Sequence, residues 1–262
     1  MKKYMDMLRY EFKNIIRDRM TLLLLVYPVL IILIGAYLIP TLLDNYASGG
    51  GAQTMGITII IIVFSSIAPF ITAAMLGFNL LDHKDENTLN TIRVTPLSLK
   101  GYIIFKGFYG YALSVFASFF SLFGVKHLSG DGYTLGGVNL WNSFTWSDML
   151  IYALVAALLT PMFALALGAL AKNKIEGFAY MKTSGLFIIA PALSVLTSMQ
   201  DYKQYILGIV PIFWPVKGLL VSGNILSNPS NLPVILYYLI GILYMSTLTV
   251  ILYKWFDKKT QT

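Results

Sequence analysis

Six apolar runs, each close to the length needed to cross the hydrocarbon core of a bilayer, constrain this chain more than any other feature. They fall at about 20–38, 57–81, 101–125, 149–171, 183–199 and 234–253. At a rise of about 1.5 Å per residue, some twenty helical residues cover roughly 30 Å. Within lipid a helix satisfies its own backbone polar groups, so runs of this length predict helices. Hydrophobic residues make up 57% of the chain and charged residues 12%, with a mean hydropathy of +0.71, too apolar for an ordinary soluble surface. The expected fold is all-α: a polytopic membrane protein of one domain over 1–262, with six transmembrane helices.

Around those spans the chain has readable punctuation. In 1–19, Met5, Leu8, Phe12, Ile15 and Ile16 recur at helical spacing while Lys2, Arg9, Lys13 and Arg17 gather on another face. That pattern predicts an amphipathic helix lying on anionic headgroups ahead of the first span, in competition with a plain basic tail. Pro28, Pro69 and Pro161 interrupt spans without abolishing them. Trp141 and Trp146, in a Gly-rich loop at 126–148, read as headgroup-level anchors. Within 200–233 the apolar run 206–221 is broken by Pro211 and Pro215, too short to span, and predicts a re-entrant or interfacial segment before the last span. In the third span Phe105, Phe108, Phe116 and Phe119 share one side. They either face lipid and core or line a path for an apolar or amphipathic substrate.

The charge distribution sets the orientation. With the N-terminus inside, all of the 19 Lys and Arg residues except Lys126, Lys203 and Lys217 fall on the cytosolic side. Both termini are therefore expected in the cytosol of a bacterial cell, with the chain multi-pass in its plasma membrane. The net charge of +7 is a topology signal, which removes nucleic acid as a partner and leaves membrane lipids.

Between the second and third runs lies the most informative polar stretch, Asp85 to Lys100, within a cytosolic loop at 82–100. Thr88 to Val94 reads as about two helical turns, closed by Thr95-Pro96, because proline pushes the residue before it out of the α region. Ser98 can cap the next helix. Leu89 and Ile92 would form a small apolar face on a stub that suits docking into another protein. The run Glu86-Asn87-Thr88-Leu89-Asn90-Thr91-Ile92-Arg93-Val94-Thr95-Pro96-Leu97 resembles the cytoplasmic signature of type-2 ABC exporter permeases, with Asn87 where Gly is usual and Asn90 where Glu is usual.

The resemblance extends from the basic helix at 1–19, an elbow helix in that family, to the broken outer segment and the sixth span. It implies a cytosolic ABC ATPase in two copies and a second permease copy, identical or closely paralogous. Glu86, Thr88, Leu89, Ile92, Thr95 and Pro96 would couple to the ATPase, with Glu176 either a second contact or a solvated loop carboxylate. ATP and Mg would be bound by that partner, and no cofactor by this chain.

Residue chemistry narrows the alternatives. The absence of cysteine excludes disulfides and thiolate metal sites, and His83 and His127 lie in separate loops, so no metal site is expected. No HExxH, paired intramembrane carboxylates or GxxxxGK[ST] loop is present, so no catalytic residue is assigned, and energy comes from a partner or none is used. The deep parts of the six runs read as free of ionisable residues, which weighs against an ion-gradient carrier. The leading expectation is the permease subunit of an ATP-driven exporter of an apolar or amphipathic peptide, drug or lipid. The rival is a non-transporting immunity or sensor protein that binds an extracellular peptide.

Overall fold

The computed structural model describes residues 19–46, 51–86, 99–135, 138–199, 201–225, 228 and 230–261. The expected helix at 1–19, except for Arg19, and the coupling segment at 87–98 lie outside them. In chain order the helices are α1 (Arg19–Leu33), α2 (Ile39–Tyr46), α3 (Gly51–Asp85), α4 (Leu99–Leu128), α5 (Trp146–Ala156), α6 (Leu159–Leu170), α7 (Lys174–Ser184), α8 (Leu186–Leu193), α9 (Phe213–Ser222) and α10 (Val234–Gln261). A π-helical turn, Ile34–Leu38, joins α1 to α2, and 3-10 turns cover Thr197–Met199 and Asp201–Ile209. The extended backbone in the described chain is a two-residue antiparallel ladder pairing Thr134 with Asn139 and Leu135 with Val138.

The protein is all-helical and polytopic, as the apolar runs require. Among the described residues five segments are long and apolar enough to cross a membrane: Val26–Leu43, Thr54–Asp85, Leu99–Leu128, Trp146–Leu170 and Val234–Lys259. The run at 183–199, expected as the fifth span, is not one helix. Helix α7 gives way to α8 at Gly185, and α8 contains Pro191. Beyond that proline the N–H groups of Ser194, Val195 and Leu196 each bond three residues back, at 3.1, 3.2 and 3.1 Å, so the backbone tightens into 3-10 turns.

Helix α3 lies at the centre, packed on α6, α4 and α1, while α10 packs on α6 and α9. Small residues allow the closest approaches. A Cβ on Gly77 would meet the Leu167 side chain at 2.5 Å, and one on Gly168 would meet the Phe256 ring at 2.7 Å. Pro69 inside α3 cannot bond the Ser65 carbonyl, and the buried Tyr152 hydroxyl of α5 donates to that oxygen at 2.5 Å. Between α5 and α6 the Thr160 N–H bonds the Ala157 carbonyl at 3.0 Å, a tightened turn just ahead of Pro161 that leaves Trp146–Leu170 one broken span.

The loop between α4 and α5 departs from expectation at one tryptophan. Trp146 is 57% exposed, as an interfacial anchor would be, but Trp141 is fully buried and packs edge-on against Tyr133 with centroids 5.8 Å apart. The short ladder folds the loop back over its own aromatic side chains, and burial of the ring outweighs exposing it at headgroups. The expected re-entrant segment is a 3-10 run followed by α9, bracketed by Asp201 (φ 62°) and Asn224 (φ 52°), two residue types that tolerate left-handed backbone.

Candidate functional site: a charged junction and two apolar grooves

The first feature is a junction where the end of α3 meets the end of α6 and the start of α7. A helix leaves its last carbonyls without partners, and the end of α6 is closed by a cation. The Lys84 ammonium donates to the carbonyl of Ala171 at 2.8 Å and to that of Gly168 at 3.2 Å. One turn away the Lys174 ammonium pairs with the Asp82 carboxylate, and the Lys174 backbone N–H donates to Asp85 Oδ2 at 3.0 Å. Below the charges, the rings of Phe78 and Phe178 lie 4.4 Å apart.

Both ends of α7's first turn are occupied. Asn173 Oδ1 accepts from the Glu176 N–H at 2.9 Å, and Glu176 Oε2 accepts from the Lys172 N–H at 2.8 Å. The Glu176 carboxylate therefore closes its own helix, which the spacing Asn173 to Glu176 signals. Glu86 is exposed, and its N–H bonds the Asp82 carbonyl at 2.9 Å. Thr88, Leu89, Ile92, Thr95 and Pro96 lie outside the described residues. What the junction positions is the base of the segment that carries them.

The second feature is a pair of lateral grooves. One, of about 460 Å³, is floored by α3 and α6 and flanked by α4 and α10. Leu80, Ile103 and Leu165 are buried within it, while Ile104, Phe108 and Val250 are 57, 71 and 55% exposed and form its mouth. The other, of about 480 Å³, runs between α6, α8 and α10 and includes Phe163, Phe187 and Tyr244. Volumes of this size suit a drug-sized ligand.

Of the four phenylalanines expected along a substrate path, Phe108 lines the first groove. Phe105, Phe116 and Phe119 line neither groove and stack on Tyr109, Phe120 and Phe123, at 6.4, 5.4 and 5.9 Å, with Phe116 exposed and Phe119 packed against the core. The buried side of α4 carries Tyr102, Lys106, Gly110, Ser114, Ala117 and Ser121.

Lys106, counted from the sequence among the cytosolic cations, is buried. It lies seven residues inside Leu99–Leu128, roughly 10 Å from the helix start, and is 4% exposed. Its spacing of four from both Tyr102 and Gly110 places it on the inward stripe, a signal the charge count alone passes over. Lys84 was missed for a different reason: nothing local indicates that it reaches carbonyls more than eighty positions away. Among the described residues no cluster of His, Asp and Glu is arranged to hold a metal ion.

Long apolar helices packed around one another, with a charged junction at one end of α3, define a multi-pass helical membrane protein. The chain belongs to the family described as fluoroquinolones export permease protein Rv2686c-like, whose model matches residues 11–253. Two relatives, the fluoroquinolones export permease proteins Rv2686c and MT2760 of Mycobacterium tuberculosis strains H37Rv and CDC 1551, are each 26% identical over 219 residues. These matches span 82% of this chain and 81% of each relative. Membership accords with the resemblance to type-2 ABC exporter permeases. No solved structure matches.

Proposed function

We propose that this chain is the transmembrane subunit of an ATP-driven exporter that moves amphipathic aromatic drugs out of the cytosol, fluoroquinolone-type antibiotics among them. The observation that carries the reading is the family match over nearly the whole chain, to proteins named for fluoroquinolone export. Groove size and lining agree with it, since fused aromatic rings match an apolar wall better than a peptide backbone does.

In the proposed cycle a cytosolic ABC ATPase docks on the segment 87–98, and two ATPases act on two permease copies. The signature residues Glu86, Thr88, Leu89, Ile92, Thr95 and Pro96 make that contact. Both termini lie on the same side as the ATPase. ATP-driven closure of the ATPase pair pulls on the segment, and the junction of Lys84, Lys174 and Asp82 passes the displacement to α6 and α7, which border the grooves.

The test is to co-express the chain with the ABC ATPase encoded beside it, purify through a tag on one subunit, and measure ATP hydrolysis and norfloxacin efflux in lipid vesicles. Co-purification with ATP-dependent norfloxacin movement is the expected result. Efflux that persists without ATP, or a chain that purifies with no ATPase bound, overturns the reading.

A further inference from the structure

Two interruptions of helix meet in the wall of the groove between α6, α8 and α10. One is the change from α7 to α8 at Gly185, flanked by the lining residues Ser184 and Leu186; the other is the end of the 3-10 run at Ile209 and Pro211. Tyr244, in the same wall, lies ten residues, about 15 Å, inside Val234–Lys259, which puts the groove at bilayer depth. Broken backbone persists at that depth where it is buried in protein or lines a cavity.

The polar groups of this groove accept hydrogen bonds and have few protons to offer. Of the four hydroxyls lining it, three donate to backbone carbonyls: Thr183 to Ala179 at 3.2 Å, Ser184 to Met181 at 2.7 Å and Tyr244 to Ile209 at 2.9 Å. Each of those protons is committed, while each oxygen keeps a lone pair. The fourth belongs to Tyr180, 42% exposed at the mouth. The Phe187 carbonyl is a further acceptor. Position 191 is proline, so the N–H that would reach that carbonyl from four residues on does not exist. Carbonyls stranded in this way elsewhere have found donors, the Tyr152 hydroxyl for Ser65 and the Thr160 N–H for Ala157. Among the described residues no side chain donates to Phe187. Phe187 lines the groove, and Pro191 follows one turn along the same stripe of α8.

We infer that this groove binds an uncharged aromatic molecule bearing one N–H or O–H donor, with its rings against Phe163, Phe187 and Leu248 and its donor on the Phe187 carbonyl. Among the described residues no charged side chain lines the groove, so an ion would lose its water there without a counter-charge, whereas a neutral donor exchanges one hydrogen bond for another. The volume of about 480 Å³ accepts three fused rings. Leu186 and Ile209, both exposed, leave the groove open to lateral entry. The inference goes beyond the export reading: it concerns what this chain holds, whether or not an ATPase moves it.

The probes are carbazole, three fused rings with one N–H, and N-methylcarbazole, which lacks the donor. Each is partitioned by dialysis between the full chain in phosphatidylcholine nanodiscs and protein-free nanodiscs of the same lipid, and read by its own fluorescence. The wild type is expected to hold carbazole about three- to tenfold more tightly than N-methylcarbazole. Pro191→Ala supplies the missing N–H from within the helix and should reduce carbazole's affinity to about that of N-methylcarbazole, with a melting temperature at or above the wild type showing that the variant is folded. Leu186→Trp, which fills the groove from its exposed rim, should weaken both probes together and serves if Pro191→Ala does not fold. Equal binding of the two probes by the wild type, carbazole binding unchanged in folded Pro191→Ala, or binding of both unchanged in Leu186→Trp overturns the site. Retention of neither probe above the protein-free nanodiscs also overturns it, because lipid chains would then fill the groove. The ATPase takes no part in this measurement, so each of these results leaves the export reading standing.

Discussion

The Tyr133 hydroxyl donates to the Gly35 carbonyl at 2.6 Å, across 98 positions of sequence. The reason lies in the π-helical turn Ile34–Leu38, where the Ile39 N–H bonds the Ile34 carbonyl five residues back. One step on, the N–H that would bond Gly35 belongs to position 40, which is proline and has none. A buried carbonyl left alone costs free energy, and the tyrosine of the loop between α4 and α5 removes that cost. Pro69, Ser65 and Tyr152 repeat the arrangement inside the bundle.

Removing either hydroxyl while keeping the ring isolates this effect. Tyr133→Phe and Tyr152→Phe should each destabilise the protein by about 1–3 kcal/mol, the usual range for stranding a buried polar group. Thermal unfolding in detergent checks the prediction, and a melting temperature equal to the wild type for both variants would refute it.

Lys84 holds the end of α6 through two carbonyls. Lys84→Met should lower stability by about 1–2 kcal/mol, from the lost charge-assisted bonds and the lost cation at a helix C-terminus. If the junction transmits the ATPase stroke, vesicles with this variant should also move less drug per ATP hydrolysed. Unchanged stoichiometry would restrict Lys84 to a structural role.

The proposed docking on the ATPase relies on Leu89 and Ile92 as the apolar residues of its segment. Leu89→Asp or Ile92→Asp should reduce drug transport at least about tenfold and weaken co-purification with the ATPase, since placing a carboxylate in an apolar contact costs several kcal/mol. Membrane insertion should be normal. Wild-type transport by either variant would remove the docking assignment.

Lys217 of α9, outside the five spans, is 2% exposed, and burial lowers its pKa from 10.5 to about 8. The native state therefore binds the proton less tightly than the unfolded chain does. The resulting penalty is fully present below about pH 8 and is relieved as pH rises through about 8 towards 10.5. Lys217→Met should be more stable than the wild type at pH 7, by at most about 3 kcal/mol. The difference in melting temperature should narrow by pH 9.5; a pH-independent difference would show that charge burial is not its source.

Much of this architecture could be read from local pattern. A run such as 57–81 must be a helix in lipid wherever it sits, because no solvent satisfies its backbone, and α3 and α4 follow from that alone. That 206–221 forms no long helix was legible for the complementary reason: Pro211 and Pro215 interrupt a run already too short to cross. The run at 183–199 misled because hydropathy records transfer to lipid and not the hydrogen-bond register that Gly185 and Pro191 reset.

What sequence determined by itself is what each residue carries with it: the apolar runs and their lengths, the excess of Lys and Arg on one side, the helix-breaking prolines and the capping pair Asn173 and Glu176. Tertiary structure alone decided which distant partner completes each local deficit. Gly35 lacks a donor because Pro40, five residues on, has no N–H, but that Tyr133 supplies one depends on how the loop between α4 and α5 folds back. Lys106 is the same residue whether it faces water or a groove. Its burial was decided by α3, α6 and α10 packing around the inward stripe of α4, since packing is a property of surfaces brought together from separate parts of the chain.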